Sequence, residues 1–363
     1  MTPKEKITPW QVSVLIAAFI LGSSLLTSFM DVYAKHDAWL VILAAYAVSI
    51  PFIACFGFLC KRFPGKNLIQ ILECVYGPIV GKGIAALYIF VFMYLLSLNT
   101  LDVADFYHGY VMPEVPHLVF LALPALVAAY AVRRGIEGIA RLSLLAVITT
   151  FIIVVGTILL LLGNVDLTNF LPLGEVPPHV FIQSTHTFAT ISFGEVMVFM
   201  MVIPSANSLK KAGKFMVSGL SLAALGLLLI SLRNTAVLGP ATGIINNATY
   251  DAARLIDIGE VLTRIEFFVA LGITFTLFIK ICVLYYVTVH GIAQLCRLHS
   301  ARSIIVPVGV FAVALAPGLF DSIIEHHLAG ALYQPFFLLT FEAIIPPVSL
   351  LVARVRRLPR SKP

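Results

Sequence analysis

Four ionisable side chains sit inside runs that are otherwise apolar: Glu195, Arg233, Lys280 and Glu342. Charge at such depth is costly and by default marks a substrate or ion pathway. Lys280 is the most informative, since Phe278, Ile279, Ile281 and Cys282 flank it. A buried ammonium must be paired, coordinated by carbonyls, or made neutral by a lowered pKa. Its candidate partners are Glu195, Glu342 and the carbonyls of an opened first span. A lysine there replaces a bound sodium ion, titrates and couples to protons, or forms a fixed ion pair between helices; the sequence leaves all three open. Arg233 joins the coupling or ion-pair set, although a place near the end of its span also suits a snorkelling or loop-anchoring role. His186 and His290, near span ends, read as packing residues.

Two interruptions accompany these charges, Gly22-Ser23-Ser24 and Ser192-Phe193-Gly194-Glu195. A break in a spanning helix frees backbone N–H and C=O groups that lipid does not satisfy. The half-helix after each break is expected to offer N–H groups and a positive dipole end to a carboxylate. Carbonyls before the break suit an ammonium. Together they point to a zwitterion, hence an amino acid or a similar small solute. The ligand-binding set is Gly22, Ser23, Ser24, Ser192, Phe193, Gly194 and Glu195, with Thr276 on the span that carries Lys280. The competing reading is that glycine and serine only allow close helix packing. Two interruptions in matching places favour the site.

The elements that must hold these residues follow from composition. The chain has 363 residues, 60% hydrophobic and 12% charged, with a mean hydropathy of +1.00. A soluble domain carries about a quarter charged residues, so this is a polytopic membrane protein. Runs of about 20 apolar residues predict all-α architecture with ten spans. They lie near 10–30, 38–60, 80–108, 117–133, 141–163, 183–204, 214–239, 262–296, 303–320 and 331–354. The first follows Lys4 and Lys6 but reads as a span, being too long for a signal-peptide core. Spans one and six are the interrupted pair, three and eight the longest, and four and nine short with Pro124 and Pro317. Five spans per half force opposite orientations, which is an inverted repeat of residues 1–163 and 164–363 within a single transmembrane domain.

Nineteen Lys and Arg residues collect on one side, among them Lys61, Arg62, Lys210, Lys211, Arg354, Arg360 and Lys362; Lys35, Arg254 and Arg264 face the other beside acids such as Asp31, Asp37, Asp102 and Asp105. The positive-inside rule then places both termini in the cytoplasm. The net charge of +6 is this asymmetry and not a nucleic-acid footprint, and the basic tail is placed to meet anionic lipid. Loops near 164–182 and 240–257, the latter with a short helix through Tyr250–Ile256, are expected over the outer face. Asn99, Thr100, Asp102 and Asp105 form a polar strip at the outer end of span three. Cys55, Cys60, Cys74, Cys282 and Cys296 lack metal-ligand spacing and read as packing residues. No nucleophile–base set, phosphate-cradling loop, metal motif or cofactor motif is present, so an enzyme is not expected.

Several short motifs share an order and spacing that is specific. They are Gly22-Ser23-Ser24, Asp37-Ala38-Trp39, Asn169-Phe170-Leu171-Pro172, Phe193-Gly194-Glu195, Arg233-Asn234-Thr235 through Leu238-Gly239, Ile258-Gly259-Glu260 and Phe278-Ile279-Lys280. In these the chain resembles, over nearly its whole length, the B-subunit family of spore germinant receptors. That family falls within the amino acid–polyamine–organocation transporter superfamily, whose first span usually holds more glycine than Gly-Ser-Ser-Leu. The resemblance implies a LeuT-like five-plus-five fold. It also implies a nutrient germinant as ligand, a soluble-headed A subunit and a lipoprotein C subunit as partners, and the spore inner membrane as location. Three functions compete at this level: a nutrient sensor, a secondary amino acid transporter using Lys280 or a proton in place of sodium, and a structural or channel-forming subunit.

Overall fold

The computed structural model describes residues 6–25, 32–207, 212–245, 247–256 and 264–359. Lys4, Asp31, Lys210, Lys211, Arg360, Lys362 and the Ile258-Gly259-Glu260 motif lie outside the described residues. The described chain is helical, and its one β-type contact is an isolated bridge from Ile7 to Ala206.

Fourteen α-helices run in chain order among the described residues: α1 (Pro9–Leu21), α2 (Ala38–Arg62), α3 (Leu68–Tyr76), α4 (Pro78–Phe106), α5 (His117–Arg134), α6 (Ile136–Leu160) and α7 (Pro178–Phe188), then α8 (Ala212–Leu238), α9 (Ala248–Arg254), α10 (Glu266–Leu295), α11 (Ile305–Leu315), α12 (Ile323–Leu332), α13 (Gln334–Leu339) and α14 (Ile345–Val355). Eight helical segments, of 18–34 residues, are long and apolar enough to cross a membrane. They match the expected spans two to five and seven to ten; α4 and α10 are the longest continuous α-helices, but as whole segments 212–243 and 32–62 run longer than 266–295. The expected short helix near Tyr250 is α9.

The two segments expected as interrupted spans differ from these eight. The first is only the 13-residue α1 up to Gly22. Thr8 and Gln11 start it with a reciprocal capping box, and Pro9 occupies a position where no amide donor is needed. Every residue from Val12 to Leu21 is buried. A helix apolar on all faces belongs at the centre of a bundle, and α1 packs there against α6, α8 and α10. The sixth span begins as α7, becomes a π-helix over Ala189–Phe193 and then a 3-10 helix over Gly194–Met200.

Loops tie the bundle together at both ends. At one end the Arg62 guanidinium donates to the carbonyls of Ala353 and Leu358 (3.0 and 2.8 Å), and Arg356 donates to the Val75 carbonyl (2.6 Å). At the other, Asp37 accepts from the Gly174 amide (3.1 Å), and Asn169 donates to the Ala236 carbonyl (3.0 Å). Cys55, Cys60 and Cys282 are packed in the interior, as expected. The packing role fails for Cys296, which is exposed where α10 leaves the bundle, and Cys74 is half-buried beside the Lys66 ammonium at 2.8 Å.

Candidate functional site

The centre of the site forms where α10 crosses the end of α1. At Gly22, a Cβ would stand 3.0 Å from both the Phe19 and Thr276 carbonyl oxygens and 3.1 Å from the Lys280 Cβ. Glycine therefore lets the two backbones meet. That approach brings the Lys280 ammonium to the interruption, where it donates to the Ser23 hydroxyl at 2.7 Å and lies 5.3 Å from the centre of the Phe19 ring. Its charge is met by Glu195, whose Oε2 is 3.0 Å from Nζ. Lys280, Glu195 and Ser23 come from three elements far apart in sequence, and all three are buried.

Glu195 owes its position to the change of helix type in the sixth span. The wider π turn ends with the Gly194 amide donating to the Ala189 carbonyl, and the tighter 3-10 turns begin there. π-bulges of this kind cluster at functional sites. The expectation of free N–H groups after this interruption is corrected here: the Gly194 amide is engaged, because the chain changes pitch without unwinding. A Cβ on Gly194 would run into the Glu342 carboxyl group. Glu342 itself sits in a second π segment, Thr340–Ile344, where the Tyr88 hydroxyl takes up the Phe341 carbonyl at 2.6 Å. Glu342 is buried and neither of its oxygens has a hydrogen-bond partner among the described residues.

A cavity of about 100 Å³ adjoins this centre and reaches Asn99 and Asp102 near the end of α4. Of the sequence-derived site residues, Gly22, Ser23, Glu195 and Lys280 line it. Ser24, Ser192, Phe193, Gly194 and Thr276 are buried close by in sequence but stand outside the lining. Phe193 turns instead to the rings of Phe188 and Tyr46 (5.2 and 6.4 Å). The Thr276 hydroxyl bonds back to its own helix at the Gly272 and Ile273 carbonyls, so its part in the site is the carbonyl facing Gly22.

The cavity also holds residues that sequence reasoning left out of the site. Asn99 and Asp102 of α4 line it, as the polar strip on that helix had hinted, and so do His326, His327 and Gly330 of α12 together with Gln334. The signal for the second group was a His-His pair four residues before a glycine and eight before a glutamine in an apolar stretch. His326 bridges the mouth, 3.6 Å from Asp102 and 3.5 Å from Asp105, and stacks on Phe320 at 4.6 Å. His117 holds Asp105 from the other side at 2.9 Å. Burial alone would drive the His326 imidazole toward neutrality. The Asp105 contact and the Asp102 and Asp105 charges outweigh it and hold the ring above its ordinary value.

Arg233 belongs to a different cluster. It donates to Thr157 Oγ1 (2.8 Å), Asn234 Oδ1 (2.8 Å) and the Thr249 carbonyl (3.3 Å), while Asn234 Nδ2 reaches Thr249 Oγ1 (3.1 Å). These bonds join α9 to α6 and α8, and Arg233, expected in the coupling or ion-pair set with Lys280, stands outside the cavity lining. His186 and His290 pack on Phe336 and Tyr286 (5.0 and 3.9 Å between ring centres). Chemically, the site offers an ammonium, carboxylates, hydroxyl and amide groups around a small cavity, which suits reversible binding of a polar solute.

Comparison with known proteins agrees with this architecture. A sequence profile of a family described as spore germination protein matches residues 6–317. The chain is 25% identical to spore germination protein KB of Bacillus subtilis (strain 168) over 368 residues, covering 99% of this chain and 97% of that protein. Among solved structures it is similar to Mhp1, a nucleobase-cation-symport-1 family transporter in a closed conformation with bromovinylhydantoin bound. That match has a TM-score of 0.67 at 13% identity and covers 98% of this chain and 80% of the other. MhsT in complex with L-phenylalanine matches at a TM-score of 0.65 and 15% identity, covering 95% and 87% of the two chains. At such identities the likeness is one of fold, the LeuT-like transporter fold.

Proposed function

Because the chain belongs to the spore germination protein family, we propose that it is the nutrient-sensing membrane subunit of a germinant receptor. Its ligand is a small zwitterionic solute, an amino acid, held in the cavity between Ser23, Glu195 and Lys280. The observation that carries this reading is the buried Lys280–Glu195 pair, 3.0 Å apart, closing one end of a polar cavity at the first interruption. A ligand carboxylate competes with Glu195 for Lys280, and a ligand ammonium finds Asp102 and Glu195 on the same walls. Sensing requires only that the ligand prefer one of two conformations. His326, bridging Asp102 and Asp105, ties α12 across the cavity mouth and is the natural element to move.

The same reading includes ten spans in a five-plus-five inverted repeat, residues 1–163 and 164–363, with helix one interrupted at Gly22–Ser24 and helix six changing pitch at Gly194 at the binding level. On this ten-span reading nineteen of the Lys and Arg residues belong to one side by sequence, which supports cytoplasmic termini and an outward-facing cavity. A soluble-headed A subunit, a lipoprotein C subunit and the spore inner membrane complete the proposal by family resemblance. A second reading, secondary amino acid transport, is favoured by the fold shared with Mhp1 and MhsT, and Lys280 then takes the role of a coupling cation. Vesicles reconstituted with the purified chain separate the two. Saturable amino acid binding without uptake supports the sensor, uptake supports the transporter, and neither result in correctly inserted protein refutes both.

A further inference from the structure

The buried charges at the centre do not balance. Lys280 contributes one ammonium, while Glu195 and Glu342 contribute two carboxyl groups, and their exposures are 3%, 1% and 2%. Glu195 takes the contact with Lys280. Glu342 is left with no hydrogen-bond partner at either oxygen among the described residues, packed against the glycine whose missing Cβ makes its room. The titratable groups that face it are Glu195 from the 3-10 segment, Lys280 from α10 and Tyr88 from α4. The Tyr88 hydroxyl is already donated to the Phe341 carbonyl. On the adjoining helices, α13 carries no charge and the charge of α14 is Arg354, twelve residues beyond Glu342.

An ionised carboxylate in this position carries two penalties. It loses its hydration without gaining donors, which costs several kcal/mol, and it stands beside a second carboxylate of like charge. A neutral carboxylic acid avoids both and leaves one ammonium facing one carboxylate. We infer that Glu342 is a proton-binding site: it is a carboxylic acid in this conformation, and a proton is the small cation that completes the central charge set. The π segments at Ala189–Phe193 and Thr340–Ile344 bring Glu195 and Glu342 to the same place, so any ligand charge that engages Lys280 or Glu195 alters how firmly Glu342 keeps its proton. Ligand binding and proton occupancy are therefore linked. The protonation state itself does not rest on the germinant reading, and its test uses no germinant.

Infrared spectra of the purified full-length chain in lipid nanodiscs test this directly. At near-neutral pH the wild type should show the carbonyl stretch of a protonated carboxylic acid, shifting down in heavy water. Glu342→Gln, a neutral isostere, should fold with an unchanged melting temperature and lose that band. Lys280→Met, which strands Glu195, should instead strengthen it by protonating a second carboxyl. Replacing potassium by sodium should leave the wild-type band unaltered. A wild type without the band, a band that survives Glu342→Gln, or a band abolished by sodium overturns the inference.

Discussion

Among the described residues two basic side chains are buried in spans, Arg233 and Lys280, and their surroundings differ. Arg233 reaches groups on three elements, Thr157, Asn234 and the Thr249 carbonyl, through a planar fork with fixed directions. Lys280 meets one hydroxyl and one carboxylate, beside a cavity and close to a carboxyl group with no partner. The arginine lies outside the cavity lining and joins three elements at once, so it reads as a clamp that fixes α9. The lysine cluster has more acid than base and an open side, so a ligand or proton changes its energy. Burial of a charge therefore does not itself mark a binding site; an incomplete set of partners beside a cavity does.

Substitutions that strike one region and spare the other sharpen this contrast. Lys280→Met should have the largest effect, lowering stability by about 3–5 kcal/mol because Glu195 is left buried and unpaired, and abolishing the nutrient response. Thermal unfolding and germination assays measure the two losses, and adding Glu195→Gln should restore most of the stability but not the response. Arg233→Met should cost about 1.5–3 kcal/mol through lost hydrogen bonds to a charged group. Its remaining folded population should respond to nutrient at an unchanged half-maximal concentration; a shifted midpoint would return Arg233 to the ligand site. Gly194→Ala places a methyl group against the Glu342 carboxyl and should cost about 1–2 kcal/mol from overpacking. Unlike the arginine change, it should move the response midpoint.

The smallest effect expected is one of pH. Because His326 is held above its ordinary value in the folded protein, its contribution is complete below the unfolded-state value and is lost as pH rises through the folded one. The α12 segment, residues 323–332, should then exchange its amide hydrogens faster, relative to the intrinsic rate, on the alkaline side. His326→Gln should remove that dependence, and hydrogen exchange by mass spectrometry reads both.

Hydropathy alone located eight spans within a few residues, because a stretch that must satisfy its backbone in lipid has few alternatives to a helix. It also exposed Lys280, Glu195 and Glu342, since ionisable groups stand out against Phe278, Ile279 and Ile281. Two features escaped it. The sixth span was expected to be interrupted at Ser192–Glu195, yet it passes through π and 3-10 turns, a change of pitch that hydrophobic periodicity does not reveal. The α12 wall of the cavity was missed because His326, His327, Gly330 and Gln334 acquire meaning only when the fold lays them opposite Asp102. Thr276 illustrates a subtler limit: its type suggested a hydroxyl ligand, whereas its carbonyl is what meets Gly22.

The central claim is that the cavity beside Lys280 and Glu195 receives the nutrient. Gly330 offers the cleanest way to close it, since a Cβ there meets only Gln334 Oε1 at 3.8 Å and the backbone need not shift. The decisive measurement is equilibrium binding of a panel of amino acids to the purified full-length chain, wild type against Gly330→Leu. Saturable binding by the wild type, lost in Gly330→Leu at an unchanged melting temperature, is the predicted result. Binding of equal affinity in both proteins, or no binding to the wild type, would contradict it.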